Sequence, residues 1–475
     1  MKQQLQQKPT TIKTLIFFLP PYILKILVTL ANIVISNYTY DKYGIKFRIS
    51  RKYLKRIFMK YIKRSLEKLI LKASKSFKTV LLTGARQTGK TTLLKQLFPS
   101  IKFLTFDDSF LEDQAKNNPE MFMAMNEPPI VLDEIQYVPS LFRQIKMSCD
   151  DNKKKGLYYL SGSQPFKLMN LASDSLAGRV SIIELSPLSL REITGDKFNS
   201  PFLPTMEYIK KRKATKVGNI WEIIHKGGYP ELYNSKTDWQ MFYSNYVKTY
   251  LERDVRDLTA VQNLDVFRKF MIACAARTGQ ILNYSNIADE IGKDANTVKS
   301  WVSILEASGI IYILEPFSAS VLKRAIKTPK LYFRDTGLAA YLTRWLTPET
   351  LANGAMSGAF FETFCISEIL KSYSNNGLDY RYFVSYYRGK DKKITTKNGE
   401  KKETESEIDF IIEENGILYP VEIKQSSNVT ADSTSAFQIL DKIPEKKRGT
   451  GAVICMCSQP GILRENVFLI PDWYI

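Results

Sequence analysis

The stretch 79–97, TVLLTGARQTGKTTLLKQL, decides the fold of the region around it. An apolar run of buried-strand type comes first, GARQTGKT follows at 84–91, and the remaining residues are helical in character. This order is typical of a P-loop, where backbone N–H groups and a helix N-terminus face nucleotide phosphates. The residues predicted to bind the nucleotide are Gly84, Ala85, Arg86, Gln87, Thr88, Gly89, Lys90, Thr91 and Thr92.

A second motif, Ile130-Val-Leu-Asp133-Glu134, is an apolar strand that ends in two acids. An acid at the end of a buried strand is poorly solvated unless it holds a cation. We expect Asp133, together with the hydroxyl of Thr91, to hold the Mg²⁺ of the nucleotide. Glu134 is expected to deprotonate the attacking water, and Gln164, after another apolar strand, to sense the γ-phosphate.

Strand and helix patterns alternate from residue 59 to about residue 190. This alternation predicts an α/β fold, with a P-loop NTPase parallel sheet and helices on both of its faces. The predicted strands are 79–83, 102–106, 130–132, 157–160 and 180–185.

The sequence resembles AAA-type ATPases of bacteria and archaea that carry a nuclease-like C-terminal domain. The resemblance spans nearly everything after Met59, and its motifs are GARQTGKTTLL, FDD at 106–108, IVLDEIQ at 130–136, LSGSQ at 160–164, LAGRV at 176–180, ELSPLS at 184–189, GGYPELY at 227–233, YLERDVRDL at 250–258, ARTGQILN at 276–283 and YFRDTGL at 332–338. It implies that Arg179 stands where an arginine reaches a nucleotide, although a structural role suits Arg179 equally well. No guanine-reading Asn-Lys-x-Asp motif is present, so ATP is preferred to GTP.

Residues 267–314 show three helical patterns followed by an apolar hairpin strand, which is a winged-helix outline. Its third helix, 294–305, would enter the major groove of DNA. The side chains available for contacts there are Asn296, Thr297, Lys299 and Ser300. The local charge is unremarkable, so a connector or dimerisation role stays equally open.

The C-terminal region is predicted to hold strands at 380–387, 407–412, 418–424 and 452–457, with a lysine-rich loop at 388–406 whose Asn398-Gly399 is a hairpin-turn signal. Asp409 lies on one of these strands and Glu422-Ile-Lys424 on the next, and Glu362 lies on the helix before them. Alternate residues of a strand share a face, so these side chains should converge. The set resembles the PD-(D/E)xK core of the restriction-endonuclease-like fold, although Ile408 stands where a proline is usual. The resemblance implies that Asp409 and Glu422 bind Mg²⁺ and that Lys424 steadies charge at the phosphate. The alternative is an inherited fold whose acids form only salt bridges.

The net charge of +20 is concentrated at the N-terminus, because residues 1–75 hold 17 Lys and Arg against Asp41 and Glu67. The apolar run 15–36 approaches the length of a membrane span, but Pro20, Pro21 and Lys25 interrupt it. We therefore expect a cytoplasmic protein, with membrane association through residues 15–36 as the alternative. The five cysteines and the single histidine, His225, do not have zinc-site spacing.

These observations predict five parts: an N-terminal extension (1–58), a P-loop ATPase domain (59–190), a helical lid or connector (191–263), a winged-helix domain (264–340) and a small α/β, restriction-endonuclease-like domain (341–475). The expected function is ATP binding and hydrolysis that control the nuclease-like domain, with ATP, Mg²⁺ and candidate DNA as partners. A scaffold or signalling ATPase is the alternative, and a small-molecule kinase fits less well because Glu134 suits water activation. The sequence leaves the oligomeric state open.

Overall fold

The structure is a computed structural model, and it describes most of the chain after residue 60. The described residues are 40–41, 44–45, 61–164, 168, 171–172, 175–234, 236–250, 255, 263–317, 328–395 and 401–475, and at 40–41, 44–45, 390–395 and 401–405 the description is of the backbone alone. The chain divides into a unit Met1–Tyr61 and a compact unit Ile62–Ile475. In the first unit, Tyr40–Asp41 pairs antiparallel with Gly44–Ile45.

A five-stranded parallel sheet forms the first half of the compact unit. Its strands are β1 (Thr79–Thr83), β2 (Lys102–Thr105), β3 (Ile130–Asp133), β4 (Tyr158–Ser161) and β5 (Val180–Glu184). They lie in the order β2-β3-β4-β1-β5, and every described pairing between them is parallel. All five predicted strands are confirmed, and β4 separates the strand before the P-loop from the strand that ends in Asp133.

Helices flank this sheet and supply the apolar faces that bury it. They span Glu67–Ser76, Lys90–Leu97, Ser109–Asn117, Pro119–Met125 and Leu141–Asp151. Every residue of β1 is buried, as expected for a central strand covered on both faces. The prediction of a P-loop sheet with flanking helices is confirmed.

A helical region follows, as predicted for residues 191–263. Its helices are Leu190–Thr194, Met206–Lys211, Ile220–Lys226, Glu231–Asn234 and Trp239–Tyr250. The only histidine, His225, stacks on Trp239 with ring centroids 4.2 Å apart, and its Nε2 lies 2.9 Å from the carbonyl oxygen of Trp345. This histidine therefore packs inside the region.

Three helices and a three-stranded sheet occupy the segment predicted as a winged helix. The helices are Leu264–Ala275, Tyr284–Ile291 and Ala295–Ala307. The strands are β6 (Gln280–Ile281), β7 (Ile311–Leu314) and β8 (Lys330–Phe333), and β8 pairs antiparallel with both of the others. Asn283 and Asp294 cap the second and third helices with their side chains, which explains why the helices begin there.

The C-terminal region begins with the helices Thr336–Leu342, Pro348–Ala352 and Ser357–Ser374. A mixed sheet follows, with strands β9 (Val384–Thr395), β10 (Lys401–Glu414), β11 (Ile417–Lys424), β12 (Lys447–Arg448), β13 (Gly451–Cys455), β14 (Gly461–Arg464) and β15 (Val467–Pro471). The main order is β9-β10-β11-β13-β15-β14, and β12 pairs with β11. The predicted hairpin is present, but its strands are longer than expected. Most of the lysine-rich stretch 388–406, interpreted as a loop, belongs to β9 and β10. Residues 380–382, predicted as strand, form a 3₁₀ turn.

One apolar core runs through all the parts after residue 190, and a second, smaller cluster, which includes Ile408, Leu418 and Phe437, lies within the C-terminal region. Leu190, Tyr243, Phe267, Tyr312 and Phe361 all belong to a single buried cluster that continues into the C-terminal sheet. The boundaries predicted at 190, 263 and 340 therefore fall inside one packed unit, and they remain predictions.

The described residues contain no helix that is both long and apolar enough to cross a membrane. The run 15–36, on which the membrane alternative depends, lies outside the described residues.

The buried carboxylate of Asp335 joins the helical region to β8. It accepts hydrogen bonds from Gly228 N (2.7 Å), Leu338 N (2.8 Å) and Tyr243 Oη (2.8 Å). Burial raises the pKa of this carboxyl, whereas the hydrogen bonds oppose that rise. The carboxylate thus satisfies buried donors from separate stretches of chain.

Asp335→Asn should lower the free energy of unfolding by about 1–3 kcal/mol, since its amide group would leave a buried N–H without an acceptor. Denaturant titration of the full chain measures this change. The control is Asp441→Asn, which removes an exposed pair with Arg448 and should cost at most about 1 kcal/mol. Equal losses in the two variants would contradict the role of Asp335.

Candidate functional site

The P-loop takes a backbone shape that its two glycines permit. Gly84 has φ +133°, and a Cβ atom there would lie 2.3 Å from the carbonyl oxygen of Leu185. Gly89, with φ +94°, directly precedes the helix Lys90–Leu97. Few side chains tolerate either conformation. The loop therefore closes tightly and leads into a helix N-terminus, as the motif predicts.

Lys90 is buried within the loop, where its Nζ donates to the carbonyl oxygens of Gly84 (2.9 Å) and Ala85 (2.8 Å). The hydroxyl of Thr88 also donates to the Ala85 oxygen, at 3.0 Å. Arg86 interacts with Tyr137, whereas Gln87 and Thr92 are exposed.

Three oxygen-bearing side chains meet at the ends of β3 and β4 and the start of the P-loop helix. The hydroxyl of Thr91 donates to both carboxylate oxygens of Asp133, at 3.2 and 3.0 Å, and Ser161 donates to the same carboxylate. Burial raises the pKa of Asp133, while the bond from Ser161 lowers it. Hard oxygen ligands of this kind suit Mg²⁺. The structure thus brings together the predicted pair Thr91 and Asp133, and it adds Ser161.

Ser161 was missed, although the sequence held a signal for it. It is a polar residue at the end of an apolar strand, the same reasoning that singled out Gln164 three residues later. Gln164 is buried and follows β4, between the strands that end at the P-loop and at Asp133.

Glu134 is held in place by residues after β3 and β4. Its backbone is left-handed, with φ +54°, and its Oε2 accepts from Ser163 N (3.2 Å), Ser163 Oγ (3.0 Å) and Gln136 Nε2. Gly162 makes room for this arrangement, because a Cβ atom there would lie 2.0 Å from Gln136 Oε1. The carboxylate therefore has a fixed orientation beside Asp133.

Arg179 does not lie in the nucleotide site of its own chain, and a contact with the nucleotide of a neighbouring subunit stays a prediction. Its carbonyl oxygen accepts from Thr79 N, at the start of β1, whereas the P-loop follows the other end of that strand. Five residues of strand separate the two edges by roughly 13 Å. The guanidinium pairs with Asp150 at 2.5 Å, so within the chain Arg179 has the structural role that was its alternative.

Arg64 is a buried arginine at the P-loop that the motifs did not identify. It donates to Thr88 O (2.7 Å) and Ser186 O (2.6 Å), and it pairs with Glu192 at 3.1 Å. Arg64 lies outside the P-loop pattern, and these partners are 24, 122 and 128 residues away, so the motif gave no indication of its contacts.

The C-terminal acids form a second cluster. Lys424 Nζ lies 2.7 Å from Glu422 Oε2 and 3.3 Å from Asp409 Oδ2, and Asp409 also accepts from Ile423 N at 2.9 Å. These contacts confirm that Asp409, Glu422 and Lys424 converge.

Glu362 joins this cluster through residues that the sequence reasoning missed. Its Oε1 accepts from Tyr332 Oη and lies 3.4 Å from Lys330 Nζ. Lys330 also lies 2.5 Å from Glu407. Both Lys330 and Tyr332 come from β8, outside the residues predicted to form the nuclease-like domain.

Burial first and the crowding of carboxylates second determine the electrostatics of the cluster. Burial, with the nearby charge of Asp409 second, raises the pKa of Glu362 to about 7 and that of Glu422 well above its usual range. Burial alone would lower the pKa of Lys330, but the surrounding carboxylates raise it overall. The same balance holds for Lys424, whose pKa Asp409 and Glu422 raise against the effect of burial, so both lysines are charged.

One feature of this cluster favours a bound metal ion, and two features oppose it. Glu422 Oε1 is buried and has no hydrogen-bond partner, which leaves a carboxylate oxygen for a cation. Yet no group of three or more His, Cys, Asp or Glu side chains within the described residues is arranged to hold a metal ion. The expected pair, Asp409 and Glu422, is bridged by Lys424 instead.

Three family comparisons cover most of the compact unit. Residues 76–194 match an AAA domain, residues 218–349 match a domain of unknown function (DUF8612), and residues 357–473 match a domain of unknown function (DUF4143).

Three curated relatives match the chain, and each is an uncharacterized protein. The uncharacterized proteins Rv2008c of Mycobacterium tuberculosis and Mb2031c of Mycobacterium bovis are each 26% identical over 365 residues, covering 76% of this chain and 74% of theirs. The uncharacterized protein MJ1637 of Methanocaldococcus jannaschii is 26% identical over 338 residues, covering 63% of this chain and 67% of its own.

Among solved structures, the Walker-type ATPase PABY2304 of Pyrococcus abyssi superposes with a TM-score of 0.37 and 13% identity, covering 59% of this chain and 96% of that one. A DNA replication initiation factor superposes with a TM-score of 0.22 and 17% identity, covering 58% and 92%. The family match, the sheet and the P-loop geometry agree on one part of the chain. Residues 76–194 are therefore an AAA-type P-loop ATPase domain.

Proposed function

We propose that this protein binds and hydrolyses ATP and that its nucleotide state controls a nuclease-like, DNA-processing C-terminal domain. The observation that carries the ATPase half is the contact of Thr91 with Asp133 beside the buried Lys90. The nuclease half rests on the convergence of Asp409, Glu422 and Lys424, with Glu362 close by.

In the ATPase site each group has a separate task. Lys90 exchanges its loop carbonyl partners for the β- and γ-phosphates, and Thr91 with Asp133 holds the Mg²⁺, which neutralises phosphate charge when bound. Glu134 takes the proton of the attacking water, and Gln164 contacts the γ-phosphate. Ser163 and Gln136 hold Glu134 by hydrogen bonds to one carboxylate oxygen, which leaves its other oxygen for the water.

Lys90→Ala should weaken ATP binding roughly ten- to hundredfold, because a charge-assisted hydrogen bond contributes about 1.5–3 kcal/mol.

Glu134→Gln should preserve binding and reduce hydrolysis at least ~100-fold, since it removes the general base. Calorimetry and phosphate release measure the two effects separately. Unchanged turnover in Glu134→Gln would refute the assigned base.

Arg64→Ala should also weaken ATP binding about tenfold or more, because the loop loses a charged donor to Thr88. The matched control is Arg268→Ala, an exposed arginine of the helix Leu264–Ala275, which should bind ATP normally. Unaltered ATP affinity in a folded Arg64→Ala protein would show that this arginine stabilises only the fold.

DNA contact through the winged-helix-like segment is part of the proposal. Asn296, Lys299 and Ser300 are exposed on the helix Ala295–Ala307, which supports their availability for phosphate or base contacts. Thr297 is less available, because its hydroxyl donates to Asp294 in the helix cap.

In the nuclease-like site, Asp409 and Glu422 would hold a divalent cation, and Glu422 Oε1 is the oxygen without another partner. Such a cation, when bound, activates water and stabilises charge on phosphate. Lys424 would then move from the two carboxylates toward the phosphate, where an ammonium stabilises developing negative charge.

Asp409→Ala and Lys424→Ala should each abolish Mg²⁺-dependent cleavage of DNA while ATP hydrolysis persists, because the P-loop site keeps all of its own residues. The assay uses single- and double-stranded DNA and RNA, with Mg²⁺ or Mn²⁺, with and without ATP. Lys211→Met, at an exposed pair with Glu207, controls for loss of a positive charge. Absence of cleavage by the wild-type protein under all these conditions would exclude the nuclease.

A second candidate function is a scaffold or signalling ATPase whose C-terminal domain binds a partner without cutting nucleic acid. The observation in its favour is that Lys330 and Lys424 already neutralise the acids. A wild-type protein that hydrolyses ATP but neither cuts nucleic acid nor binds Mn²⁺ beyond the nucleotide site would support it.

A further inference from the structure

Strand β8 contacts the C-terminal acidic cluster at one end and the ATPase sheet at the other. Toward the cluster, Lys330 reaches Glu362 and Glu407, and Tyr332 donates to Glu362. Toward the sheet, Arg334, the residue after the strand, forms an ion pair with Glu184 of β5. Side chains only four positions apart thus contact the acidic cluster and the strand that neighbours β1 in the ATPase sheet.

On the ATPase side, the contacts of Arg334 lie next to the residues that lead into the P-loop. Glu184 pairs in register with Thr83, the last residue before Gly84. Arg334 N donates to Ile310 O at 3.0 Å. The preceding residue, Gly309, lies so close that a Cβ atom there would be 3.7 Å from Ala85 N and 3.4 Å from Glu184 Oε1.

On the cluster side, hydrogen bonds join β8 to the helix that carries Glu362. Ser367 Oγ donates to Arg334 O at 2.9 Å. Phe333 N donates to Thr278 Oγ1 at 3.1 Å, and that hydroxyl lies 2.9 Å from Thr363 Oγ1. One direct hydrogen bond and one relay through Thr278 therefore join the strand to the helix Ser357–Ser374, so we expect a shift of one to displace the other.

We propose that β8 couples the nucleotide site to the C-terminal cluster, with Arg334 contacting the ATPase sheet and Lys330 acting as a positioning residue for Glu362. This proposal rests on the proposed function, because it requires nucleotide at the P-loop. A change at the P-loop would shift Arg334 relative to Glu184, and the same strand would then move the ammonium that neutralises Glu362. Coupling of this kind is reciprocal, so a change at Lys330 must alter nucleotide affinity.

A double-mutant cycle tests the coupling. Calorimetry with ATPγS and Mg²⁺ compares the wild-type protein with Lys330→Met, Arg334→Gln and the double variant. Lys330→Met should change the Kd for ATPγS at least about fivefold, the lower range of typical couplings, and this difference should vanish in the Arg334→Gln background. Lys330→Arg should restore the wild-type Kd, and Lys211→Met should leave it unchanged.

The outcomes separate this proposal from the proposed function. Wild-type protein that does not bind ATPγS refutes the ATPase function itself. Wild-type binding with the same Kd in Lys330→Met, or an effect that persists in the Arg334→Gln background, overturns the coupling alone. Should Lys330→Met fail to fold, hydrogen exchange of wild-type residues 357–374 with and without ATPγS decides: altered exchange supports the coupling, and unaltered exchange overturns it.

Discussion

The buried carboxylate of Asp335 is the contact on which the relation between the parts depends. It receives N–H groups from two segments and a tyrosine hydroxyl from a third, and a carboxylate is the side chain that can accept several donors at once. Gly228, one of these partners, also accepts from Leu188 N through its carbonyl oxygen, so the same segment is fastened to the chain that leaves β5. The neighbouring Arg334 pairs with Glu184 at the end of that strand. The two residues Arg334 and Asp335 thereby connect the ATPase sheet, the helical region and the helix Thr336–Leu342.

Parallel strands explain why the ATPase site is readable from the sequence. Their carboxyl ends meet at one edge of the sheet, so residues after β1, β3 and β4 converge whatever the length and course of the connecting segments. Thr91 and Asp133 are 42 residues apart, yet their side chains touch. Ser161 follows from the same rule. Arg179 shows the limit of motif reasoning, because it precedes β5 and therefore lies at the opposite edge.

The sequence predicted the strands of the ATPase sheet, the P-loop and the convergence of Asp409, Glu422 and Lys424, because each depends on local periodicity or on neighbouring strands. It missed Arg64, Lys330 and Tyr332, whose partners lie on distant segments. Long polar side chains of this kind pack against residues that are distant in the sequence. The hydrophobic periodicity of the sequence does not indicate which residues these are. The prediction of a loop at 388–406 was wrong for a different reason. Its lysines suggest a loop, but cross-strand pairing in a long hairpin outweighs their low strand propensity.

The origin of the lysines explains how the acidic cluster can be controlled. Buried carboxylates repel one another unless a cation stands between them, and two ammonium groups serve this purpose here. Lys424 belongs to the same strand as Glu422, so its charge is a permanent part of that sheet. Lys330 instead comes from β8, which also contacts the ATPase domain through Arg334. The charge balance at Glu362 is therefore set from outside the C-terminal sheet, and a movement of β8 would change the acidity of the cluster without any rearrangement of Asp409 or Glu422.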